Sequence, residues 1–131
     1  MGIEEGDKLL ERELTEKILG CAIEVHKELG PGLLESVYEE ALAIECGLQG
    51  LNFLRQLTIP LLYKGSLLSM PHRIDMLVEN KVVLELKCVE TILPVHEAQL
   101  LTNMKLGSWR IGLLINFKTA VLKNGIRRMV L

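Results

Sequence analysis

The sequence has few cysteines, and no pair of them has metal-binding spacing. Its three cysteines, Cys21, Cys46 and Cys88, lie far apart in the chain. A zinc site or a dithiol redox motif usually needs two cysteines separated by two residues, so the sequence argues against both. Cys21 and Cys46 fall within apolar helical patterns, which predicts buried, reduced thiols.

Long apolar runs and a strong excess of one charge are also missing. The longest apolar stretch, residues 111–117, is far shorter than the roughly 20 residues that cross a bilayer. The first dozen residues are polar and acidic, unlike a signal peptide, so we expect a cytoplasmic protein without membrane segments.

The net charge is −2, which argues against a protein that coats nucleic acid. A phosphate substrate would therefore need a metal ion or a local basic patch.

The length and the first half of the chain predict one domain that begins with two helices. The 131 residues are enough for a single hydrophobic core. We treat residues 1–13 as a charged lead-in and residues 14–131 as the domain. Apolar positions at helical spacing predict helices over 14–29 and 34–46, separated by Gly30, Pro31 and Gly32. Because their connection is tight, the two helices should pack as a hairpin.

The pattern changes to strand spacing at Asn52. We predict strands over 53–61, 67–78, 82–89 and 110–117, and a third helix over 95–106 that Pro94 opens and Gly107 ends. Asn124-Gly125 is typical of a hairpin turn between two short edge strands, 121–122 and 126–131. The order α-α-β-β-β-α-β-β predicts an α/β fold with a mixed sheet flanked by helices.

Three charged residues on the predicted strands form the candidate site. Glu85 and Lys87 are two residues apart, so their side chains point to the same face of a strand with apolar neighbours. Charge on such a strand is costly unless a metal, an ion pair or solvent compensates it. Asp75 lies opposite Glu85 only if the hairpin turn has three residues, 79–81, centred on Asn80. A two-residue turn would place Asp75 opposite Leu84.

Two adjacent carboxylates repel each other, and a divalent cation relieves that repulsion. Carboxylate oxygens suit Mg²⁺ or Mn²⁺, which can lower the pKa of a bound water and polarise a phosphoryl oxygen. Lys87 could orient the attacking water or stabilise developing negative charge. From spacing alone, however, an exposed cluster of ion pairs is the more frequent arrangement of such residues.

Several motifs together resemble one family. They are Gly32-Leu-Leu-Glu35-Ser-Val-Tyr38, which reads G-x-x-E-x-x-Y, then Ile74-Asp75, Glu85-Leu-Lys87, the run from Pro94 to Leu101, and the run from Gly112 to Phe117. Over residues 14–126 the sequence resembles the GxxExxY family, which is assigned to the PD-(D/E)XK nuclease-like superfamily. The resemblance implies a restriction-endonuclease-like core and metal-dependent hydrolysis of phosphodiester bonds in DNA or RNA.

The resemblance also implies roles for individual residues. It makes Asp75 and Glu85 ligands of Mg²⁺ or Mn²⁺, adds Glu35 from the second helix as a third ligand, and makes Lys87 the catalytic lysine. Gln99 is similar to the glutamine of the Q-x-x-x-Y element of RecB-like members and would support the site. The fifth position of that element is Asn103 here, which puts the aromatic contact in doubt. Without the resemblance, Glu35 fits equally a solvated glutamate in the first turn of a helix.

The sequence is also compatible with other functions and with other roles for its basic residues. The competing function is a non-catalytic nucleic-acid-binding or oligomerisation module that retains the nuclease scaffold, and for so small a chain a homodimer or a partner protein is a further expectation. His72 and Arg73 fit either a phosphate contact or a solvated edge strand. A basic cluster near the C-terminus fits either a phosphate-backbone contact or a charged edge that prevents strand aggregation. Its members are Lys118, Lys123, Arg127 and Arg128.

Overall fold

The computed structural model describes residues 10–131. The elements of this part of the chain, in order, are α1 (Arg12–Leu29), α2 (Glu35–Leu48), β1 (Phe53–Ile59), β2 (Leu62–Tyr63), β3 (Ser66–Leu67), β4 (His72–Val78), β5 (Val82–Lys87), α3 (Pro94–Gly107), β6 (Ile111–Asn116), a 3₁₀ helix (Leu122–Gly125) and β7 (Ile126–Val130). None of the helices described is both long and apolar enough to cross a membrane.

Five of the strands form one mixed sheet in the order β1-β4-β5-β6-β7. β5 lies at its centre and pairs in parallel with β6, whereas the other neighbours are antiparallel. Both central strands are buried along their length except at Lys87, which is half-buried. The apolar character of residues 82–84 and 111–115 predicted this central position. The architecture confirms the predicted α/β fold.

The helices cover the two faces of the sheet separately. α1 and α2 pack on one face and α3 packs on the other. Successive side chains of a strand point to opposite faces, so Glu85 and Lys87 share the face of Val83, which α3 covers. The first core contains Ile18, Tyr38, Leu42, Leu84, Leu86 and Leu113, and the second contains Val83, Leu100, Met104 and Leu114.

Tyr38 fixes the connection between α1 and α2. Its buried ring stacks on Phe117, with ring centroids 4.6 Å apart and an interplanar angle of 4°. Its hydroxyl donates a hydrogen bond to the carbonyl oxygen of Gly30 and accepts one from the N–H of Leu33 at 3.1 Å. Both bonds hold the segment just before Glu35. The last residue of the G-x-x-E-x-x-Y motif therefore positions the turn that carries its glutamate.

Four local predictions differ from the structure. The stretch predicted as one strand, 67–78, is divided: Ser66–Leu67 pairs with Leu62–Tyr63 in a separate hairpin, and β4 begins only at His72. Pro71 lies just before this start, and proline cannot donate a hydrogen bond to a strand neighbour. The hairpin turn predicted at residues 124–125 and the edge strand predicted at 121–122 are wrong, because Leu122–Gly125 form a 3₁₀ helix. α1 also begins two residues earlier than predicted.

Gly112 lets α3 approach the sheet. A Cβ atom at this position of β6 would lie 2.6 Å from Met104 Sδ and 2.7 Å from Leu100 Cδ1. Both distances are too short for van der Waals contact, so a side chain here would force the fully buried Met104 and Leu100 side chains to move.

We predict that Gly112→Ala lowers the free energy of unfolding by about 1–3 kcal/mol, the usual cost of overpacking a core. Gly20→Ala is the matched control, because a Cβ atom at Gly20 meets open space and alanine stabilises a helix interior by about 0.5–1 kcal/mol relative to glycine. Urea denaturation measures both changes. Unchanged stability of Gly112→Ala would mean that α3 can shift on the sheet without cost.

Candidate active site

The turn between β4 and β5 has three residues. The paired positions are Met76 with Leu84, Leu77 with Val83, and Val78 with Val82. Residues 79–81 form the loop, and Glu79 and Asn80 both adopt left-handed backbone conformations with φ of 53°. The predicted odd-numbered turn is confirmed. The same register, continued by one residue, puts Asp75 opposite Glu85.

Asp75 lies where the pairing between β4 and β5 ends. Beyond Met76 and Leu84 the two strands no longer pair. Instead, Asp75 Oδ2 accepts a hydrogen bond of 2.8 Å from the N–H of Leu86. The Asp75 and Glu85 carboxyl groups lie close enough to share a hydrogen bond when one of them is protonated. Two acidic side chains therefore meet at the point where the central hairpin opens.

Burial and mutual repulsion prevent both carboxyl groups from ionising readily. Glu85 is only 7% exposed. Desolvation and then the charge of Asp75 raise the pKa of Glu85 from its ordinary 4.5 to about 8. Desolvation also raises the pKa of Asp75, although the hydrogen bond from Leu86 opposes this shift. Without a cation, the pair therefore holds a proton near neutral pH.

Lys87, Gln99 and Glu35 surround this pair. Lys87 Nζ donates a hydrogen bond to Gln99 Oε1 at 3.4 Å, and its positive charge opposes the upward pKa shifts of both carboxyl groups. Glu35 lies in the first turn of α2, where desolvation and then the charge of Asp75 raise its pKa. The five predicted site residues thus gather in one region, with Glu35 close enough for the charge of Asp75 to raise its pKa.

The chemistry of the donors fits Mg²⁺ or Mn²⁺ held by two carboxylates. Across residues 10–131, no group of three or more His, Cys, Asp and Glu side chains could hold a metal. Mg²⁺ usually takes one or two protein carboxylates and completes its coordination with water and phosphate, so Asp75 and Glu85 are sufficient donors. The role of Glu35 as a third ligand stays a prediction.

Asn103 and His72 complete the buried side of the site, and the sequence analysis did not identify them as members. Asn103 is 2% exposed. Its Nδ2 donates a hydrogen bond to Glu85 Oε1, and its Oδ1 accepts one from His72 Nε2. A signal for Asn103 was present: it lies four residues after Gln99, hence on the same side of α3. In the position where Q-x-x-x-Y has an aromatic residue, this chain has an amide that orients Glu85.

A second polar cluster borders Asp75 on the other side. Glu39 lies one turn after Glu35 on α2 and accepts hydrogen bonds from Arg55 Nε at 3.1 Å and Gln56 Nε2 at 2.5 Å. Gln56 has φ of 50°, and the pairing of β1 with β4 skips this residue, which would lie opposite Asp75. Because Glu39 is bound to β1, it anchors α2 to the sheet beside the carboxyl pair.

Asn116 fixes the chain that follows Lys87. It is buried at the end of β6 and lies beside Lys87 in the parallel register. Its Oδ1 accepts a hydrogen bond from the N–H of Val89 at 3.1 Å, and its Nδ2 donates one to the carbonyl oxygen of Val89 at 2.8 Å. These two bonds hold the exit from β5 and thus the backbone that carries Lys87.

The basic C-terminal cluster makes contacts within the protein. Lys118 pairs with Glu90 at 2.7 Å, and Arg127 pairs with Glu97 at 3.6 Å. Arg128 Nη2 donates a hydrogen bond of 2.8 Å to the carbonyl oxygen of Leu10. These contacts favour a charged edge over a dedicated phosphate patch.

The predicted burial of Cys21 and Cys46 is confirmed. The two side chains are 3% and 0% exposed and neither forms a disulfide. They touch each other between α1 and α2, and burial raises the pKa of Cys46 to about 12. A thiol that ionises so poorly is a weak nucleophile and metal ligand, so this pair belongs to the core.

A comparison with models of protein families shows the family to which this chain belongs. A family model described as PD-(D/E)XK nuclease superfamily matches residues 12–129. This chain belongs to the PD-(D/E)XK nuclease superfamily. The matched range contains every residue of the site described above and all five strands of the mixed sheet except the last residue of β7. Searches of curated proteins and of solved structures found no significant match.

We predict that the metal-free protein loses stability as the pH rises from 4.5 to about 8, the interval between the ordinary and the raised pKa of Glu85. A raised pKa means that the folded state binds this proton more tightly than the unfolded state, so its removal costs stability. Glu85→Gln should flatten the decline, because glutamine has no proton to release. Urea denaturation in chelator across this range tests the prediction. An equal decline in the variant would assign the effect to other groups.

We also predict that Asn103→Leu weakens Mn²⁺ binding by about 10- to 100-fold, the usual loss when a metal ligand loses its hydrogen-bond partner. The variant leaves Glu85 without the amide that orients it. Isothermal titration calorimetry measures the affinity, and urea denaturation in chelator checks that the protein is folded. Asn124→Leu is the matched control, because Asn124 is exposed on the 3₁₀ helix. Equal affinities in the two variants would refute the role assigned to Asn103.

Proposed function

We propose that this protein is a metal-dependent nuclease that hydrolyses phosphodiester bonds in nucleic acid, and that it falls within the GxxExxY group of its superfamily. The observation that carries the proposal is the close, buried pair of Asp75 and Glu85 beside Lys87. In an ordinary surface ion cluster, each carboxylate would be exposed and paired with a cation. Here Glu85 is buried and lies beside another acid, an arrangement that a divalent cation would stabilise.

Each residue of the site has a task in this reaction. When bound, Mg²⁺ or Mn²⁺ supplies a water of lowered pKa and polarises a phosphoryl oxygen. Asp75 and Glu85 would hold the cation, and Asn103 keeps Glu85 oriented. Lys87, tethered to Gln99, can orient the attacking water or stabilise the negative charge that develops on the phosphate.

Glu35 supplies further negative charge on the α2 side of this site. Its raised pKa means that it shares the electrostatic environment of the carboxyl pair. A cation bound between Asp75 and Glu85 would favour the ionised form of Glu35 as well. We therefore keep Glu35 as the proposed third ligand, either directly or through a coordinated water.

The competing proposal is a module that binds nucleic acid or oligomerises without catalysis. The net charge of −2 supports this alternative, because it disfavours tight binding of a polyanionic substrate. The missing aromatic residue of Q-x-x-x-Y no longer supports it, since Asn103 bonds to Glu85 directly. The nuclease and the binding module share nucleic acid as the partner and differ in whether a bond is cleaved, whereas an oligomerisation module would bind no nucleic acid.

The deciding experiment is cleavage of labelled DNA and RNA in the presence of Mn²⁺. We predict that Lys87→Ala and Asp75→Asn each reduce the rate by about 100-fold or more, the typical loss when a group that stabilises the transition state is removed. Lys17→Ala is the control, because Lys17 is exposed near Glu79 and Lys81, at the opposite end of the sheet.

The cleavage experiment has three possible outcomes, each with a different meaning for the proposed function. Loss of activity in the two site variants, with full activity in the control, supports the nuclease. Equal activity in wild type and Lys87→Ala would indicate a contaminating nuclease and reject the assignment. Binding of Mn²⁺ and of nucleic acid without any cleavage would support the non-catalytic alternative.

A further inference from the structure

One long segment of the chain differs in charge from the rest. Residues 46–74 contain no aspartate or glutamate, although the whole chain has 17 of them. The same segment contains Arg55, Lys64 and Arg73, together with His72. The segment therefore carries a positive charge of its own in a protein whose net charge is negative, and of its cations Arg55 is already paired with Glu39.

The middle of this segment is an exposed arm, which we define as residues 60–71. Its strands β2 and β3 pair with each other and not with the five-stranded sheet. The arm carries five large apolar side chains in solvent: Leu62 is 70% exposed, Tyr63 61%, Leu67 68%, Leu68 44% and Met70 76%. Leu62 and Leu67 are cross-strand partners and share one face of the hairpin, whereas Tyr63 points to the other face. Several large apolar side chains exposed in one short segment favour an interaction site.

The arm leaves the sheet at the end where the candidate active site lies. It joins Ile59, the last residue of β1, to His72, the first residue of β4. β4 then runs from the arm past Asp75 to the turn at residues 79–81. Because β5 returns antiparallel to β4, Lys87 lies at the arm end of the sheet as well.

We propose that the arm binds an unpaired segment of the nucleic-acid substrate, with the ring of Tyr63 stacked on a base and Lys64 and Arg73 contacting phosphates. The inference rests on the proposed function of the site, because it names which form of nucleic acid reaches Asp75 and Glu85. Aromatic rings stack on unpaired bases regardless of sequence, and cationic side chains beside them follow the backbone. Tyr63 and Lys64 already lie together, with Lys64 Nζ 5.5 Å from the centre of the ring.

The charges of Lys64 in the arm and of Arg73, which follows the arm in β4, argue against a second copy of the chain as the occupant. A two-fold dimer places the same patch of both subunits against each other. Lys64 and Arg73 of one subunit would then face the same cations of the other, with no acid in the segment to neutralise them. A phosphate backbone satisfies these cations, and exposed bases cover the apolar side chains.

The test is fluorescence anisotropy with a labelled single-stranded oligonucleotide and with a duplex of the same sequence, both in chelator so that cleavage cannot occur. We predict that Tyr63→Ala weakens single-strand binding by about 10-fold, in line with the loss of one stacked base, and affects the duplex less. Tyr63→Phe should bind as wild type, because it keeps the ring. Lys64→Gln should reduce the dependence of the affinity on salt by about one phosphate contact.

Leu48→Ala is the control for the loss of exposed apolar surface. Leu48 is 72% exposed at the end of α2, roughly 20 Å along the helix from Glu35. Its oligonucleotide affinity should match wild type. Calorimetry with Mn²⁺ should give equal affinities for wild type and Tyr63→Ala, which would locate the defect in the arm and leave the carboxyl pair intact.

Several results would overturn the inference. They are unchanged single-strand affinity in Tyr63→Ala, an equal loss for duplex and single strand, and conversion of a dimer to a monomer with oligonucleotide binding intact. Failure of the proposed function looks different: wild type would bind the single strand through Tyr63 and would cleave no substrate with Mn²⁺. That result would still support the arm as a nucleic-acid contact.

Discussion

The site depends on the hydrogen bond from the Leu86 N–H to the Asp75 carboxylate. An N–H group in the middle of a sheet is costly to leave without a partner. Where β4 turns away from β5, the side chain of Asp75 takes the place of the missing backbone carbonyl. The strands can therefore separate inside a buried sheet, and the same bond holds one carboxylate beside Glu85. The structural and the candidate catalytic tasks of Asp75 have a single physical basis.

Other contacts bring polar side chains to Asp75 and Glu85, whose surroundings are otherwise apolar. α3 lies close to the sheet because Gly112 leaves room for it, and this closeness brings Asn103 to Glu85. On the opposite side, Tyr38 fixes the start of α2 and Glu39 bonds to β1. Buried polar groups are tolerated when their hydrogen bonds are satisfied. In the described residues no buried side-chain nitrogen or oxygen lacks a hydrogen-bond partner. The polar side chains around the acidic pair therefore have their hydrogen bonds satisfied.

Local patterns predicted the parts of this site that depend on neighbouring residues. The alternation of β5 put Glu85 and Lys87 on one face, and the three-residue turn followed from the requirement that Asp75 face Glu85. The hydrogen bond between His72 and Asn103 joins residues 31 positions apart, and no local pattern tells which strand a helix will cover. The left-handed backbone conformation of Gln56 was likewise not predictable from the sequence. It depends on the hydrogen bond to Glu39 and on the gap in pairing between β1 and β4 beside Asp75. The 3₁₀ helix at residues 122–125 replaced a predicted turn because turn-forming residues do not specify which turn they make.

Net charge is a poor guide to what this protein can bind. Charges in water are screened over about 10 Å at moderate ionic strength, so acids on distant helices have little influence at the arm end of the sheet. What matters there is the local balance: residues 46–74 contain no acid, the carboxyl pair holds a proton near neutral pH, and Glu35 and Glu39 add negative charge beside it. A negative molecule can thus present a surface that attracts phosphate. Under the proposed function, a divalent cation bound by Asp75 and Glu85 would offset the negative charge that otherwise repels a phosphodiester.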